Sequence, residues 1–461
     1  MCGAAEGRAD SFLTAMAQNQ TICALATPPG VGAIGVIRVS GPETFPIVQK
    51  LFRGKNLAEQ PGHTIHFGTI RDEHNEIVDE VLVSVFKAPH SYTKEDSVEI
   101  SCHASGFIIQ KILRLLLKNG CRMAQNGEYT QRAFLNGQLD LAQAEAVADL
   151  IASDSEASHR AAIHQIRGGF SKDIAQLREQ LIHFASMIEL ELDFGEEDVE
   201  FADRDQLRRL ITEIRLALRP LIDSFELGNV LKEGVPVAIV GPPNAGKSTL
   251  LNALLNEEKA IVTEIAGTTR DVIEDVLILD GIKFRILDTA GIRETSDKVE
   301  AIGVERSLAA MEKADIILKL SSADVADPVF ETLFAERLGD SDRVISVRTK
   351  ADLPENEGAG ADLVLSAATG EGIDALRDAL VTRARGQRTG DTVVTNLRHY
   401  EHLTATDAAL ERALRGLDSG ITQDWLAMDI RQALHHLGEI TGQITTDDLL
   451  EVIFSKFCIG K

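Results

Sequence analysis

Residues Gly241 to Thr249 read Gly-Pro-Pro-Asn-Ala-Gly-Lys-Ser-Thr, a G-x-x-x-x-G-K-[ST] run. No other stretch limits the fold as strongly. Such a loop turns successive backbone N–H groups inward on phosphate oxygens, and a Cβ at Gly241 or Gly246 would resist that path. Lys247 is then placed to reach the β- and γ-phosphates, and the Ser248 hydroxyl to ligate Mg²⁺. The flanks agree. Val235–Val240 is a short apolar run suited to a buried parallel strand, and Ser248–Leu255 starts a helix whose N-terminus faces the phosphates. Asn244, Ala245, Gly246, Lys247, Ser248 and Thr249 are the expected phosphate-binding residues.

Later residues narrow the nucleotide. Gly267-Thr-Thr-Arg-Asp271 is a polar loop whose Thr268 and Thr269 hydroxyls can reach Mg²⁺, with Thr269 expected as the ligand. Asp288, Thr289, Ala290 and Gly291 follow the apolar run Phe284–Leu287, which places a carboxylate at a strand end and a glycine N–H near the γ-phosphate. Thr349, Lys350, Ala351 and Asp352 follow the expected strand Val344–Val347. Asp352 can accept from N1–H and the 2-amino group of guanine, which adenine does not offer. Ser366, Ala367 and Ala368, after Asp362–Leu365, suit a backbone contact to the base oxygen. The order of these motifs predicts GTP and GDP rather than ATP. The guanine motif usually begins with Asn; Thr349 is shorter and lacks the amide, so guanine preference rests on Asp352. Ile292 occupies the place where many small GTPases carry a water-orienting Gln. Glu294 and Glu300 are the nearest acidic replacements.

The chain has 461 residues, about three domains' worth, and a net charge of −24. That charge argues against broad phosphate gripping of nucleic acid, so an RNA partner must be held locally or by a second protein. No apolar run has transmembrane length, and no signal-peptide core is present. Cysteines 2, 23, 102, 121 and 458 have no metal-ligand spacing and read as reduced cytoplasmic thiols. Cys458 is either a small buried hydrophobe or a reactive thiol.

The expected layout is multidomain, α/β and α+β. Residues 1–20 form a loose extension, and 21–130 an α+β domain with strands near Ala33–Val39, Val81–Phe86 and Val98–Ser101 and a helix over Gly106–Lys118. Residues 131–230 are helical, 231–385 form the P-loop α/β domain, and 386–461 are helical again, with an N-cap at Thr445. The flanking helical segments suggest one helical domain with the P-loop domain inserted in it. Glu189 to Asp205 carries nine acidic residues without calcium-loop spacing and reads as a solvated helix end and linker. Gly386–Gly390 reads as a second linker.

Over about residues 16–461 the chain resembles the MnmE (TrmE) family of tRNA-modification GTPases. The resemblance lies in Ala26–Gly30 running into Arg38–Gly41, in Ser91–Asp96, in Gly127–Gly137 with Leu139–Glu145, and in the terminal Phe457-Cys-Ile-Gly-Lys461. It implies a homodimeric enzyme that works with a flavoprotein of the MnmG/GidA type. Together they add an aminomethyl-type group, such as carboxymethylaminomethyl, at C5 of the wobble uridine of certain tRNAs. The one-carbon unit would come from 5-formyltetrahydrofolate or a related reduced folate in the N-terminal domain. The matching folate positions are Arg38, Glu99, Gln138 and Lys461. The family has Lys at the third, so Gln138 removes a charge from the folate carboxylates and predicts weaker salt dependence of affinity. The resemblance also implies K⁺ activation and G-domain dimerisation, with Asn244, Thr263, Ile265 and Thr268 as K⁺ ligands. By spacing alone Asn244 is a turn residue. The family's water-positioning Glu matches Glu300, not Glu294. The tail would lie near the folate, beside Cys458. The competing reading, a regulatory GTPase that binds RNA or ribosomes, would need an RNA-binding appendage that the chain does not carry. A membrane-remodelling GTPase would need a basic or apolar membrane face.

Overall fold

The computed structural model describes residues 20–193, 204–257, 275–287, 309–322, 328–338, 341–353, 361–385, 393–419 and 423–461. The expected N-terminal extension, most of the acidic run and the Gly386–Gly390 linker lie outside the described residues. The chain divides into two compact units.

One unit comprises the described residues up to Ala148, with Gln165–Ala175 and Leu437–Lys461. Its sheet contains β1 (Ile22–Leu25), β2 (Ile34–Ser40), β3 (Phe52–Arg53), β4 (Thr64–Arg71), β5 (Ile77–Phe86), β6 (Ser97–His103) and β7 (Arg122–Met123), in the order β3-β4-β5-β6-β2-β1-β7. Alternation makes these residues strands: along β5, Val81, Val83 and Val85 are buried while Glu80 and Leu82 are exposed. α1 (Thr44–Leu51) and α2 (Gly106–Lys118) cover the buried face, α2 through Ile109, Ile112, Leu115 and Leu116. α2 spans the residues expected from the sequence. α3 (Glu128–Leu135) and α4 (Leu141–Ala152) follow. β2 runs antiparallel to β6 with Ile37 opposite Ile100 and Arg38 opposite Glu99. Ile37 and Ile100 are in the core, so the pleat sends Arg38 and Glu99 together to the other face.

The chain end returns to this unit. α13 (Asp447–Phe454) buries Leu450, Ile453 and Phe454 with Leu141, Ala144 and Phe457. Its N-cap is Thr446, whose hydroxyl accepts from the N–H of Leu449. The expected cap, Thr445, is one residue too early. Both threonines carry the cap chemistry, and the apolar face of α13 decides which one sits at the first turn.

The second unit comprises Asp149–His164 and Gln176–His436. Its sheet contains β8 (Val235–Val240), β9 (Asp275–Leu279), β10 (Ile282–Leu287), β11 (Ile316–Ser321), β12 (Val344–Arg348) and β13 (Leu363–Val364), in the order β13-β12-β11-β8-β10-β9. All pairings are parallel except β9 with β10. β8 lies between β10 and β11, where the strand order reverses, and ligands of such sheets bind beyond the strand ends at that place. α8 (Lys247–Glu257) leaves the loop after β8 and buries Leu250, Leu251 and Leu254 against Val237, Ile239 and Phe284. α10 (Ile373–Arg385) buries Leu376 and Leu380 in the same cluster; α9 (Pro328–Leu338) also belongs to this unit.

α5 (Glu156–Ile166), α6 (Gly169–Asp193), α7 (Arg204–Glu233), α11 (Leu397–Ser419) and α12 (Gln423–Thr441) are the other α-helices among the described residues. α7 precedes the P-loop segment and α11 follows it, yet they pack together. Arg215 Nε lies 2.7 Å from Asp407 Oδ1, and the rings of Phe225 and Tyr400 stack with centroids 4.3 Å apart. Among the described residues no helix is long and apolar enough to cross a membrane.

Candidate functional site

The P-loop takes its expected strand-to-helix position. Asn244 (φ 61°) and Gly246 (φ 88°) are left-handed, which turns the backbone back on itself as an anion cradle requires. Gly241 is required for a different reason: a Cβ there would lie 2.7 Å from the carbonyl oxygen of Leu320. Lys247 Nζ donates to the carbonyl oxygens of Gly241 at 2.7 Å and Pro242 at 2.8 Å. Burial lowers its pKa. Among the described residues this partly desolvated ammonium is held by neutral carbonyls, which makes it a fitting partner for a polyphosphate. Ser248 and Thr249 sit in the first turn of α8, where the helix dipole favours anions.

The guanine motif is tied to this loop. Thr349 is buried and its hydroxyl donates to the carbonyl oxygen of Ala245 at 2.7 Å. The short side chain that lacks an amide therefore still links the two motifs. Asp352 accepts from the Ser366 hydroxyl at 2.6 Å, and that bond is the main cause of its lowered pKa. Ala351 N–H donates to the carbonyl of Leu365 at 3.1 Å, which fixes the Lys350–Asp352 turn beside Ser366, Ala367 and Ala368. Thr263, Ile265, Thr268, Thr269, Asp288, Thr289, Ala290, Gly291, Ile292, Glu294 and Glu300 lie outside the described residues.

The other unit holds a separate polar site. Arg38 donates to Glu99 Oε1 from Nε at 3.0 Å and from Nη2 at 2.9 Å, both side chains about a quarter exposed. Its guanidinium lies 5.5 Å from the ring centroids of both Tyr92 and Tyr129. Tyr129 OH donates to the Arg38 carbonyl at 2.8 Å, and burial pushes that phenol's pKa up. Arg38 Nη1 also reaches the carbonyl of Gly460 at 3.5 Å. The tail is held there by an antiparallel bridge between Asn126 and Ile459 and by Asn126 Nδ2, which donates to the Ser455 carbonyl at 3.2 Å. Lys461 is the next residue and is half-buried.

Arg38, Glu99 and the chain end are therefore brought together. Gln138 is exposed in the turn after α3, its N–H bonded to the Ala133 carbonyl. Its side chain hydrogen-bonds to no described residue. Cys458 is exposed, which removes the buried-hydrophobe alternative; Cys23, Cys102 and Cys121 are buried, and burial raises Cys102 to about 11.

Sequence reasoning missed Tyr92 and Tyr129 as walls of the Arg38 site. It also missed the ion network behind them. Arg132, 3% exposed, bonds Glu95 at 3.1 Å and Glu128 at 2.9 Å, and Arg122 also holds Glu128. Burial acts against ionisation of Glu128, but Arg122, the Gln125 N–H and Arg132 outweigh it and lower the pKa. The i, i+4 spacing of Glu128 and Arg132 was the available signal.

A central parallel strand, a phosphate cradle, a half-buried lysine and a guanine-type aspartate define a P-loop GTPase, here in one chain with a seven-stranded unit and long helices. Residues 21–138 match the family model described as GTP-binding protein TrmE N-terminus, and residues 141–458 match the MnmE helical domain. A relative from Cytophaga hutchinsonii named tRNA modification GTPase MnmE is 55% identical, covering 98% of this chain and all of that protein. Relatives of the same name from Bacteroides fragilis and Christiangramia forsetii are 52% and 50% identical, covering 96% and 97% of this chain and all of each protein. The chain belongs to the MnmE family of tRNA modification GTPases.

Proposed function

We propose that this GTP hydrolase of tRNA modification acts as a K⁺-dependent homodimer with a flavoprotein of the MnmG/GidA type in the cytoplasm. The product is an aminomethyl-type group at C5 of the wobble uridine, with a reduced folate as one-carbon donor. The observation that carries the folate part is the Arg38–Glu99 pair between two tyrosines beside the chain end. A planar guanidinium fork and an adjacent carboxylate can bind a pterin edge, which offers both donors and acceptors.

Each residue then has a role in hydrolysis. Lys247 holds the β- and γ-phosphates, Asp352 reads guanine, and Ser248 with Thr269 would hold Mg²⁺. Asn244, Thr263, Ile265 and Thr268 would hold K⁺, which supplies the positive charge that an arginine finger supplies elsewhere. Glu300 orients the attacking water. In the folate site Arg38 and Glu99 grip the pterin and Lys461 closes from the tail. With a net charge of −24, the chain leaves most of the tRNA grip to its partner. Mass spectrometry of tRNA nucleosides from a strain lacking this protein tests the proposal: loss of the C5 modification is expected, and an unchanged nucleoside profile would refute it.

A further inference from the structure

Lys94 is a left-handed residue, with φ 58°. Its neighbours in the Ser91–Asp96 loop explain the loop's path. Tyr92 OH bonds Thr130 Oγ1 at 2.9 Å, Thr93 Oγ1 bonds Ser40 Oγ at 2.7 Å, and Glu95 takes Arg132. A glycine would adopt that backbone without steric cost; a lysine does not, because its Cβ crowds the following carbonyl. A long side chain kept at such a position points to a use for its far end.

That far end reaches the turn that carries Gln138. Lys94 Nζ donates to the carbonyl of Gly137 at 2.7 Å, and among the described residues it pairs with no carboxylate. An ammonium has three donors, so two remain available. The same loop supplies Tyr92, which faces the Arg38 guanidinium. Lys94 therefore places a cation one residue from Gln138, on a loop that already walls the site. Asn136 Nδ2 donates to the Thr93 carbonyl at 2.6 Å, so the loop and the turn are joined without Lys94.

We propose that Lys94 is the cation that binds the carboxylate tail of the ligand at the Arg38–Glu99 site, in place of residue 138. This rests on the folate reading given above. It also revises the expectation drawn from Gln138, since the charge is kept and only its position in the sequence differs. The pterin end would lie on Arg38 and Glu99, and the glutamyl carboxylates on Lys94.

The test uses the full-length protein, calorimetry, and two probes: 5-formyltetrahydrofolate and 5-formyltetrahydropteroate, which lacks the glutamate. Lys94→Gln should weaken the folate about fivefold or more, as expected for a charge-assisted bond at partial exposure. It should leave the pteroate unchanged and flatten the salt dependence. Lys94→Arg should retain most of the affinity. Lys94→Gly, which suits the backbone, should lose affinity without a fall in thermal midpoint, which excludes misfolding as the cause. Adding Gln138→Lys to Lys94→Gly should restore binding. If the wild type binds the folate and Lys94→Gln binds it equally, the assignment of Lys94 is wrong and the folate site stands. If the wild type binds neither probe, the folate reading itself fails and this inference with it.

Discussion

The Thr349 hydroxyl donates a 2.7 Å hydrogen bond to the Ala245 carbonyl, joining the guanine motif to the phosphate loop across 104 residues of chain. Thr349→Val keeps the shape and removes the donor, leaving a buried carbonyl without it. The expected cost is about 1–3 kcal/mol of stability, with weaker GTP binding, because a buried acceptor loses its partner. Denaturant unfolding and nucleotide titration check both. A Val variant that binds GTP like the wild type would show that the bond plays no part in assembling the site.

In the proposed role, Asp352 would read the base only when ionised. Asp352→Asn should move preference from guanosine to xanthosine triphosphate, because xanthine presents an oxygen where guanine has an amine. The Ser366 hydroxyl holds the carboxyl below its ordinary pKa. For such a group the interaction is fully present above the ordinary value and is lost as pH falls through the depressed one. Ser366→Ala should therefore shift the acid limit of guanine binding to higher pH. Base-specific binding followed between pH 3 and 6 decides it.

The β8–loop–α8 unit was legible because local chemistry determines it. The strand bounds agree to the residue, and α2 does as well. The pairing of Arg38 with Glu99 was not legible from spacing, because it depends on strand register between residues 61 apart. Family resemblance named both residues, but only the register explains why they meet. The left-handed backbone of Lys94 and the return of Gly460 to Arg38 are set by tertiary packing, which leaves no periodic mark in the sequence.

Asn244 has φ 61°, so Ala at this position would add backbone strain to any loss of function. Asn244→Gly keeps the loop path and removes only the amide. Hydrolysis by the wild type should rise strongly when K⁺ replaces Na⁺, and the Gly variant should lose that response while still binding GTP. Phosphate release in the two salts checks this. A preserved K⁺ response would remove Asn244 from the ligand set.

Glu300→Ala should lower hydrolysis by about 10²-fold or more with little change in GTP affinity, the usual effect of losing a water-orienting group. Single-turnover kinetics separate the two quantities. Should Glu294→Ala produce the fall instead, the water is oriented from the earlier position in the sequence.

Gly460 has φ 94°, and a Cβ there would collide with the Leu25 carbonyl. Gly460→Ala must therefore push the chain end off β1, and Leu25 has no room to yield because it is fixed in β1 opposite Ile37. The Gly460 carbonyl then leaves Arg38, and Lys461 leaves the site with it. The core of α13 lies further back, in Leu450, Ile453 and Phe454, so the fold should persist. Reduced-folate binding should fall about tenfold or more, the scale of losing a charged contact together with the order of the site. GTP hydrolysis should stay near the wild-type rate, because the P-loop belongs to the other unit. Calorimetry with 5-formyltetrahydrofolate alongside a phosphate-release assay reads both. Full folate affinity in this variant would show that the chain end does not belong to the site.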